Sequence, residues 1–175
     1  MDGCTLCPRM CGADRRRITG YCGSGSLAKV ARAAKHHWEE PCISGTEGSG
    51  TVFFSGCNLR CVYCQNRRIA LGDVGTTVSV ERLAEIYLEL QEQGAHNINL
   101  VTPAHETDAV VRSLERAKRQ GLKIACLEGI AYRHGWITEE RMRELAQPML
   151  KNQYGQYLLR VIDEVKHTNQ VNHSK

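Results

Sequence analysis

The sequence predicts an α/β fold with a cysteine-rich segment before it and an all-helical tail after it. Three observations support this prediction. Apolar runs of strand length at 51–55, 98–101 and 122–126 alternate with helical patterns, all cysteines except Cys126 lie before residue 65, and no strand pattern follows residue 126. The order strand, helix, strand, helix, strand implies right-handed crossovers and a sheet with parallel strands.

The length, charge and apolar pattern of the chain favour a single domain with an appendage, and they indicate neither a nucleic-acid-binding protein nor a membrane protein. The chain has 175 residues and a formal net charge of +4, which suits one domain with an appendage and indicates no particular partner. The run Arg15-Arg16-Arg17 lacks interleaved aromatic residues, so we expect a solvated turn and no nucleic-acid interface. With neither a signal-peptide pattern nor a membrane-spanning apolar run, we expect the reducing cytoplasm, where clustered cysteines are typical of metal ligands.

The first 48 residues are predicted to form a metal-binding segment. Four of its five cysteines have the spacing C-x2-C-x3-C-x10-C among several glycines, which favours loops over a helix. A segment so poor in apolar residues needs a metal to stabilise it, and four thiolates suit either zinc or a second iron–sulfur cluster. Reduced cysteines on a disordered arm are the alternative. The four cysteines with this spacing are Cys4, Cys7, Cys11 and Cys22. Residues 26–38 in the same segment are compatible with a helix, from their alanine content, or with a strand, from the alternation of Leu27, Lys29, Ala31 and Ala33, and we expect an extended strand.

A second cysteine pattern follows the strand at 51–55. Cys57, Cys61 and Cys64 have the spacing C-x3-C-x2-C within one short loop. Three thiolates at this spacing can bind three irons of a [4Fe-4S] cubane and leave the fourth iron open to a ligand. A structural zinc loop or three unpaired thiols are the alternatives, but zinc sites usually have four ligands in two separated pairs.

The next elements are a helix, a strand and a second helix. Ser79 is the expected N-cap of the first helix, which Gly94 ends, and the strand at 98–101 follows. Polar residues gather around the exit of that strand, and His105 among them is either an acid–base group or a polar loop residue. The second helix is expected at 107–120 with the apolar stripe Val110, Val111, Leu114 and Ala117.

The cysteine loop resembles the signature of radical S-adenosylmethionine (radical SAM) enzymes. Residues 4–122 are similar, more narrowly, to proteins related to the activating enzyme of pyruvate formate-lyase. The pieces that match are CTLCPRMC (4–11), HWEEPCISG (37–45), GSGTVFFSGC (48–57) and HNINLVTP (96–103). The resemblance implies a partial (β/α) barrel with a [4Fe-4S] cluster on Cys57, Cys61 and Cys64, whose open iron chelates S-adenosylmethionine.

Further roles are implied by this resemblance. Tyr63 matches the aromatic position that packs near the adenine, and Asn99 and Thr102 match a variant of the motif that binds the cofactor's amino group. The implied activity is reductive cleavage of S-adenosylmethionine to a 5′-deoxyadenosyl radical, with a protein substrate and an electron donor such as flavodoxin or ferredoxin as partners. We expect neither nucleic acid nor membrane as a partner.

The tail does not continue the barrel. A complete barrel needs about six strand–helix units of roughly 30 residues each, whereas helices are predicted at 127–133, from Thr138 and at 152–164. Residues 123–137 and 144–160 resemble the C-terminal end of glucose-1-phosphate thymidylyltransferase, without the glycine-rich start that binds its nucleotide. We therefore interpret the chain as a fusion near Gly121-Leu122-Lys123, with a metal-binding segment at 1–48, a truncated radical SAM barrel at 49–122 and a helical tail at 123–175. A non-catalytic metal-binding module with a tail for association is the alternative function.

Overall fold

A four-stranded mixed sheet forms the centre of the first of two units in the computed structural model, which describes residues 3–122, 126–151 and 153–172. The strands lie in the order β3-β1-β2-β4. Their bounds are Ala28–His36 for β1, Ser49–Phe54 for β2, Thr76–Val78 for β3 and Ile98–Val101 for β4.

The prediction of parallel strands holds for only one pair in this sheet. β2 and β4 are parallel, with Val52 opposite Leu100, whereas β1 is antiparallel to both β2 and β3. The connection from β1 to β2, residues 37–48, contains only the four-residue helix Pro41–Ser44 and reverses the chain, so these neighbours pair as antiparallel strands. The fold is therefore α/β with a partly parallel sheet, consistent with a truncated barrel.

Helices pack on the sheet and share the core of the first unit with it. They are α1 (Pro41–Ser44), α2 (Arg67–Ala70), α3 (Val80–Glu92) and α4 (Thr107–Arg119), with a 3-10 turn at Ala104–Glu106. Ser79 caps α3 as predicted, because its side chain accepts a hydrogen bond from the backbone N–H of Arg82. Phe54, Leu83 and Tyr87 are fully buried between the sheet and α3.

One expectation for the helices of this unit is wrong, and the strand expected at 122–126 lies partly outside the described residues. Val111 was expected in the apolar stripe of α4, but it is 48% exposed, whereas Ser113 takes a fully buried place on that helix. Ser113 fits there because its hydroxyl donates to the carbonyl of Val110 and lies 3.4 Å from the Tyr87 hydroxyl. Of the strand predicted at 122–126, residues 123–125 lie outside the described residues, and neither end belongs to a strand.

The second unit is helical and has its own core. It contains α5 (Leu127–Arg133), α6 (Glu139–Ala146), a 3-10 turn at Gln147–Met149 and α7 (Gln153–Asn172). Thr138 caps α6 by accepting from the backbone N–H of Arg141. Met142, Leu158 and Ile162 are fully buried in this core. No helix in the described part of the chain has the length and apolar character needed to cross a bilayer.

Candidate metal centre and cofactor site

The loop that carries Cys57, Cys61 and Cys64 begins at the carboxyl end of β2 and is held by backbone hydrogen bonds at its first three residues. The N–H of Ser55 donates to Lys29 at 2.7 Å, that of Gly56 to Ile69 at 2.7 Å, and that of Cys57 to Cys22 at 3.2 Å. Three separate segments therefore fix the start of what we call the cluster loop, residues 55–64.

Gly56 is required where the cluster loop crosses the N-terminal segment. Its φ of +88° lies in the left-handed region, and a Cβ at this position would come within 2.3 Å of the Cys22 carbonyl oxygen. Only glycine permits this approach. The backbone of Cys57 is thereby brought directly against that of Cys22.

The three thiols of the cluster loop are half-buried, and apolar side chains project around them. The Sγ of Cys57 accepts a hydrogen bond from the backbone N–H of Leu59 at 3.4 Å. Leu59, Val62 and Tyr63 are 68%, 85% and 88% exposed. Such a loop combines free thiols with an apolar rim, the surface that a bound organic cofactor can cover.

The four N-terminal cysteines line one shallow hollow that opens to solvent. Cys22 is buried, Cys4 and Cys7 are half-buried and Cys11 is exposed. Hydrogen bonds from the backbone of Ala13 and Tyr21 lower the pKa of the Cys11 thiol, because they stabilise the thiolate. Metal ligation needs that form of the side chain.

Arg15 joins the N-terminal segment to the end of β4 through buried contacts. It donates to the Gly25 carbonyl at 2.6 Å, to the His105 carbonyl at 2.7 Å and to the Glu106 carboxylate at 2.9 Å. Burial acts to lower the pKa of Arg15 and Glu106 acts to raise it, with a net increase. The expected solvated turn is therefore wrong for Arg15, whose side chain is only 11% exposed.

His105 is also buried, with 1% of its surface exposed. Its Nε2 lies 3.0 Å from the carbonyl oxygen of Ser55, at the start of the cluster loop. Sequence reasoning left it as an acid–base group or a polar loop residue, and the structure excludes an exposed loop position. The only sequence signal was its place just after a strand that ends beside β2.

The family comparison agrees with the cysteine pattern. The model of the radical SAM superfamily matches residues 51–147, more than half of the chain. The chain belongs to the radical SAM superfamily. The match includes the cluster loop and extends past the division between the two units after Leu122.

Curated relatives of this radical SAM chain are similar over a short part of their length. Glucose-1-phosphate thymidylyltransferase of Neisseria meningitidis is 52% identical over 58 residues, which are 33% of this chain and 19% of that protein. The enzyme of Mycobacterium tuberculosis is 45% identical over 53 residues, 30% of this chain and 18% of that protein. The chain thus spans less than a fifth of these relatives, and the expected partial likeness is confirmed. No solved structure matches the chain.

The donor set of the cluster loop fits the cluster of radical SAM proteins. Among the described residues, no three Cys, His, Asp or Glu side chains converge at the spacing of a single-ion site. A cubane makes a different demand, since each thiolate binds a different iron. Three half-buried thiols in one loop, with a backbone N–H already directed at a sulfur, meet that demand.

The three predicted contacts to S-adenosylmethionine lie in different surroundings. Thr102 follows β4 at the edge where β2 leads into the cluster loop, and its φ of +60° is rare for a β-branched residue. Tyr63 lies in the loop itself and is free to pack on a ligand. The amide nitrogen of Asn99 donates to the Ser49 hydroxyl at 2.8 Å, at the far end of β2 from Cys57. The roles of all three stay predictions.

Proposed function

We propose that this chain is a radical SAM protein that binds a [4Fe-4S] cluster through Cys57, Cys61 and Cys64 and S-adenosylmethionine at the open iron. The observation that carries the proposal is the three-cysteine loop at the carboxyl end of a parallel strand, in a chain that belongs to this superfamily. When bound, the reduced cluster supplies the electron that cleaves S-adenosylmethionine to methionine and a 5′-deoxyadenosyl radical.

The chain's own residues have three tasks in this proposal. The hydrogen bonds at Ser55, Gly56 and Cys57 fix the loop so that its thiols stay preorganised. Tyr63 covers the adenine, which shields the cluster side of the cofactor from water. The strained backbone at Thr102 directs the polar groups of this residue toward the edge of the sheet where the cluster loop begins. These groups receive the ammonium group of S-adenosylmethionine.

We further propose that the reaction is that of an activating enzyme similar to the one of pyruvate formate-lyase. Its substrate would be a backbone glycine of a partner protein, and a flavodoxin or ferredoxin would supply the electron. The support is the resemblance of residues 4–122, which covers both cysteine groups and the strand before Thr102.

The test is anaerobic reconstitution followed by reduction with dithionite in the presence of S-adenosylmethionine. We expect 5′-deoxyadenosine and methionine to form in equal amounts. The matched control is Cys126→Ser, which removes a thiol from the helical unit and should leave this product unchanged. Formation of the product at the same rate in Cys57→Ser would contradict the assignment of the cluster ligands.

A non-catalytic metal-binding module is the second candidate, and one observation favours it. β4 pairs with β2 on one side, and in the described part of the chain no strand pairs with its other edge. Complete barrels of this superfamily continue at that edge with strands that contact the cofactor. This candidate predicts a bound cluster, no 5′-deoxyadenosine and a defined oligomer in size-exclusion chromatography with light scattering.

The likeness to glucose-1-phosphate thymidylyltransferase gives the weakest candidate, nucleotidyl transfer. The chain spans at most 19% of those relatives, and its likeness to them does not include the glycine-rich start that binds the nucleotide in that family. We expect no formation of dTDP-glucose from dTTP and glucose 1-phosphate. Turnover would revive this candidate.

A further inference from the structure

Arginine side chains without an acidic partner surround the cluster loop. Arg60 lies within the loop, Arg9 donates to the carbonyl of Asn58 at 2.9 Å, and two exposed arginines begin α2 just after the loop. Among the described residues, none of these four guanidinium groups forms an ion pair with a carboxylate. We call Arg9, Arg60, Arg67 and Arg68 the basic rim.

The sequence around the loop explains why these charges stay unpaired. Residues 48–72 contain three arginines and neither aspartate nor glutamate. The only acidic residue in 3–38 is Asp14, which has an arginine partner outside the rim. Asp73 follows the loop but forms no ion pair with the rim in the described part of the chain, whereas Arg82 on α3 has two glutamate partners. The excess of positive charge is therefore local to the surroundings of the cluster loop.

Tyr21 holds two of these cations close together. The guanidinium carbons of Arg9 and Arg60 lie 3.6 and 4.8 Å from the centre of its ring. The ring attracts each cation, but the two like charges repel each other across it. A partner with negative charge would remove this repulsion, so the arrangement suits an anionic surface.

Exposed aliphatic side chains accompany the basic rim. Leu59 and Val62 flank Arg60 in the cluster loop and are largely exposed, and the proposed function gives neither of them a contact with the cofactor. Apolar side chains combined with arginine are typical of protein–protein interfaces. A nucleic acid would instead stack its bases on aromatic side chains, and the exposed aromatic residue of this loop, Tyr63, already has the adenine as its proposed partner. The pattern therefore favours a protein with an acidic surface.

The location of the basic rim indicates which kind of acidic protein binds there. The rim surrounds the loop that presents the three half-buried thiols, so a protein docked on it approaches the cluster site itself. The cluster must receive an electron from outside the chain before it can cleave S-adenosylmethionine. Redox partners meet through small interfaces, and complementary charge speeds their association.

We propose that the basic rim, together with Leu59 and Val62, is the docking surface for an acidic protein that donates one electron to the cluster. The reduced flavin or iron–sulfur group of that protein loses one electron and the cluster gains it, so no bond of this chain forms or breaks. This role rests on the proposed radical SAM function, which it extends by the surface on which the donor binds.

The first experiment measures binding of an acidic flavodoxin to the reconstituted, oxidised chain by biolayer interferometry under nitrogen. We expect the dissociation constant to rise by about tenfold or more in the double variant Arg67→Glu, Arg68→Glu, because each reversed charge replaces attraction by repulsion. The matched control is Lys118→Glu with Arg119→Glu, which makes the same charge change on adjacent exposed residues at the far end of α4 from the carboxyl end of β4. Equal dissociation constants in the two variants would overturn the docking surface.

The salt dependence of the same complex tests its electrostatic origin. Raising the salt concentration from about 0.05 to about 0.5 M shortens the Debye length from about 14 to about 4 Å. Binding of flavodoxin to the unmodified chain should weaken, and binding to the double variant Arg67→Glu, Arg68→Glu should change much less. Duplex DNA that binds more tightly than flavodoxin, and that loses its affinity in the same variant, would overturn the proposed occupant.

The second experiment separates docking from cleavage of S-adenosylmethionine. Formation of 5′-deoxyadenosine is measured with reduced flavodoxin and, in parallel, with saturating dithionite, a small reductant that needs no docking surface. We expect Arg67→Glu, Arg68→Glu to lower the flavodoxin-driven rate by about tenfold at subsaturating donor and to keep the dithionite-driven rate. An equal loss with both reductants would assign these arginines to the cofactor site and overturn the docking surface.

The two experiments distinguish failure of the docking surface from failure of the proposed function. An unmodified chain that forms no 5′-deoxyadenosine with dithionite would contradict the radical SAM function. Binding of flavodoxin that is lost in Arg67→Glu, Arg68→Glu and retained in Lys118→Glu, Arg119→Glu would still support the basic rim as a surface for an acidic protein.

Discussion

Replacing Gly56 with Ala tests how closely the cluster loop must approach the N-terminal segment. An alanine here adopts a left-handed backbone conformation, which costs about 1–2 kcal/mol. Its Cβ would also lie 2.3 Å from the Cys22 carbonyl oxygen, a distance that real Cβ atoms do not adopt. The loop or the segment must therefore move.

Gly72→Ala separates these two costs. Gly72 has a φ of +86°, almost equal to that of Gly56, but a Cβ there would have no atom within 4 Å. Both variants bear the backbone strain. Only Gly56→Ala has the overlap between its Cβ and the Cys22 carbonyl oxygen, and only this variant loses the hydrogen bond from Cys57 to Cys22. Together these two effects cost about 2–4 kcal/mol more.

The assay measures cluster retention and stability in both variants. After anaerobic reconstitution, we expect Gly72→Ala to retain iron and sulfide like the unmodified chain, and Gly56→Ala to lose at least about tenfold in retention, since 1.4 kcal/mol corresponds to a factor of ten. Urea unfolding of the cluster-free chains should give the lower midpoint for Gly56→Ala. Equal retention in the two variants would refute the reasoning from the close approach at Cys22.

Three further predictions concern single side chains. Tyr63→Ala should raise the dissociation constant for S-adenosylmethionine by about 3–10-fold with unchanged iron content, because an aromatic stacking contact contributes about 0.5–1.5 kcal/mol; equal affinity in calorimetry would contradict its role. Burial raises the pKa of Tyr87 from 10.0 to about 12. The unfolded chain therefore loses this proton at a lower pH than the folded chain does. As pH rises from 10 toward 12, the free energy of unfolding of the unmodified chain in urea should fall by roughly 2–3 kcal/mol more than that of Tyr87→Phe. Equal decreases in the two chains would contradict the raised pKa of Tyr87. Met142→Ala should destabilise the helical unit by about 2–5 kcal/mol, since Met142 is fully buried, and calorimetry should show a lower melting temperature with unchanged cluster content.

The local elements could be predicted from the sequence because their signals are local. The caps at Ser79 and Thr138 and the strands near 51–55 and 98–101 follow from side-chain chemistry and periodicity within a few residues. The cysteine loop was found for the same reason, since ligand spacing within one loop is readable in sequence.

Long-range features could not be predicted in this way. The antiparallel pairing of β1 depends on which strand it meets, and residues 26–38 were compatible with more than one element. The pairing of Arg15 with Glu106 joins residues 91 positions apart, and neither has a local signal for burial. Val111 was placed in the apolar stripe because periodicity does not show which helix face a neighbour covers.

The most direct test of the central claim is low-temperature electron paramagnetic resonance of the reconstituted and reduced chain, recorded with and without S-adenosylmethionine. The proposal predicts a [4Fe-4S] signal that changes when the cofactor is added and disappears in the variant in which Cys57, Cys61 and Cys64 are all Ser. A signal that does not respond to S-adenosylmethionine, or one that persists in that variant with the same response, would contradict binding of the cofactor at the open iron of the cluster loop.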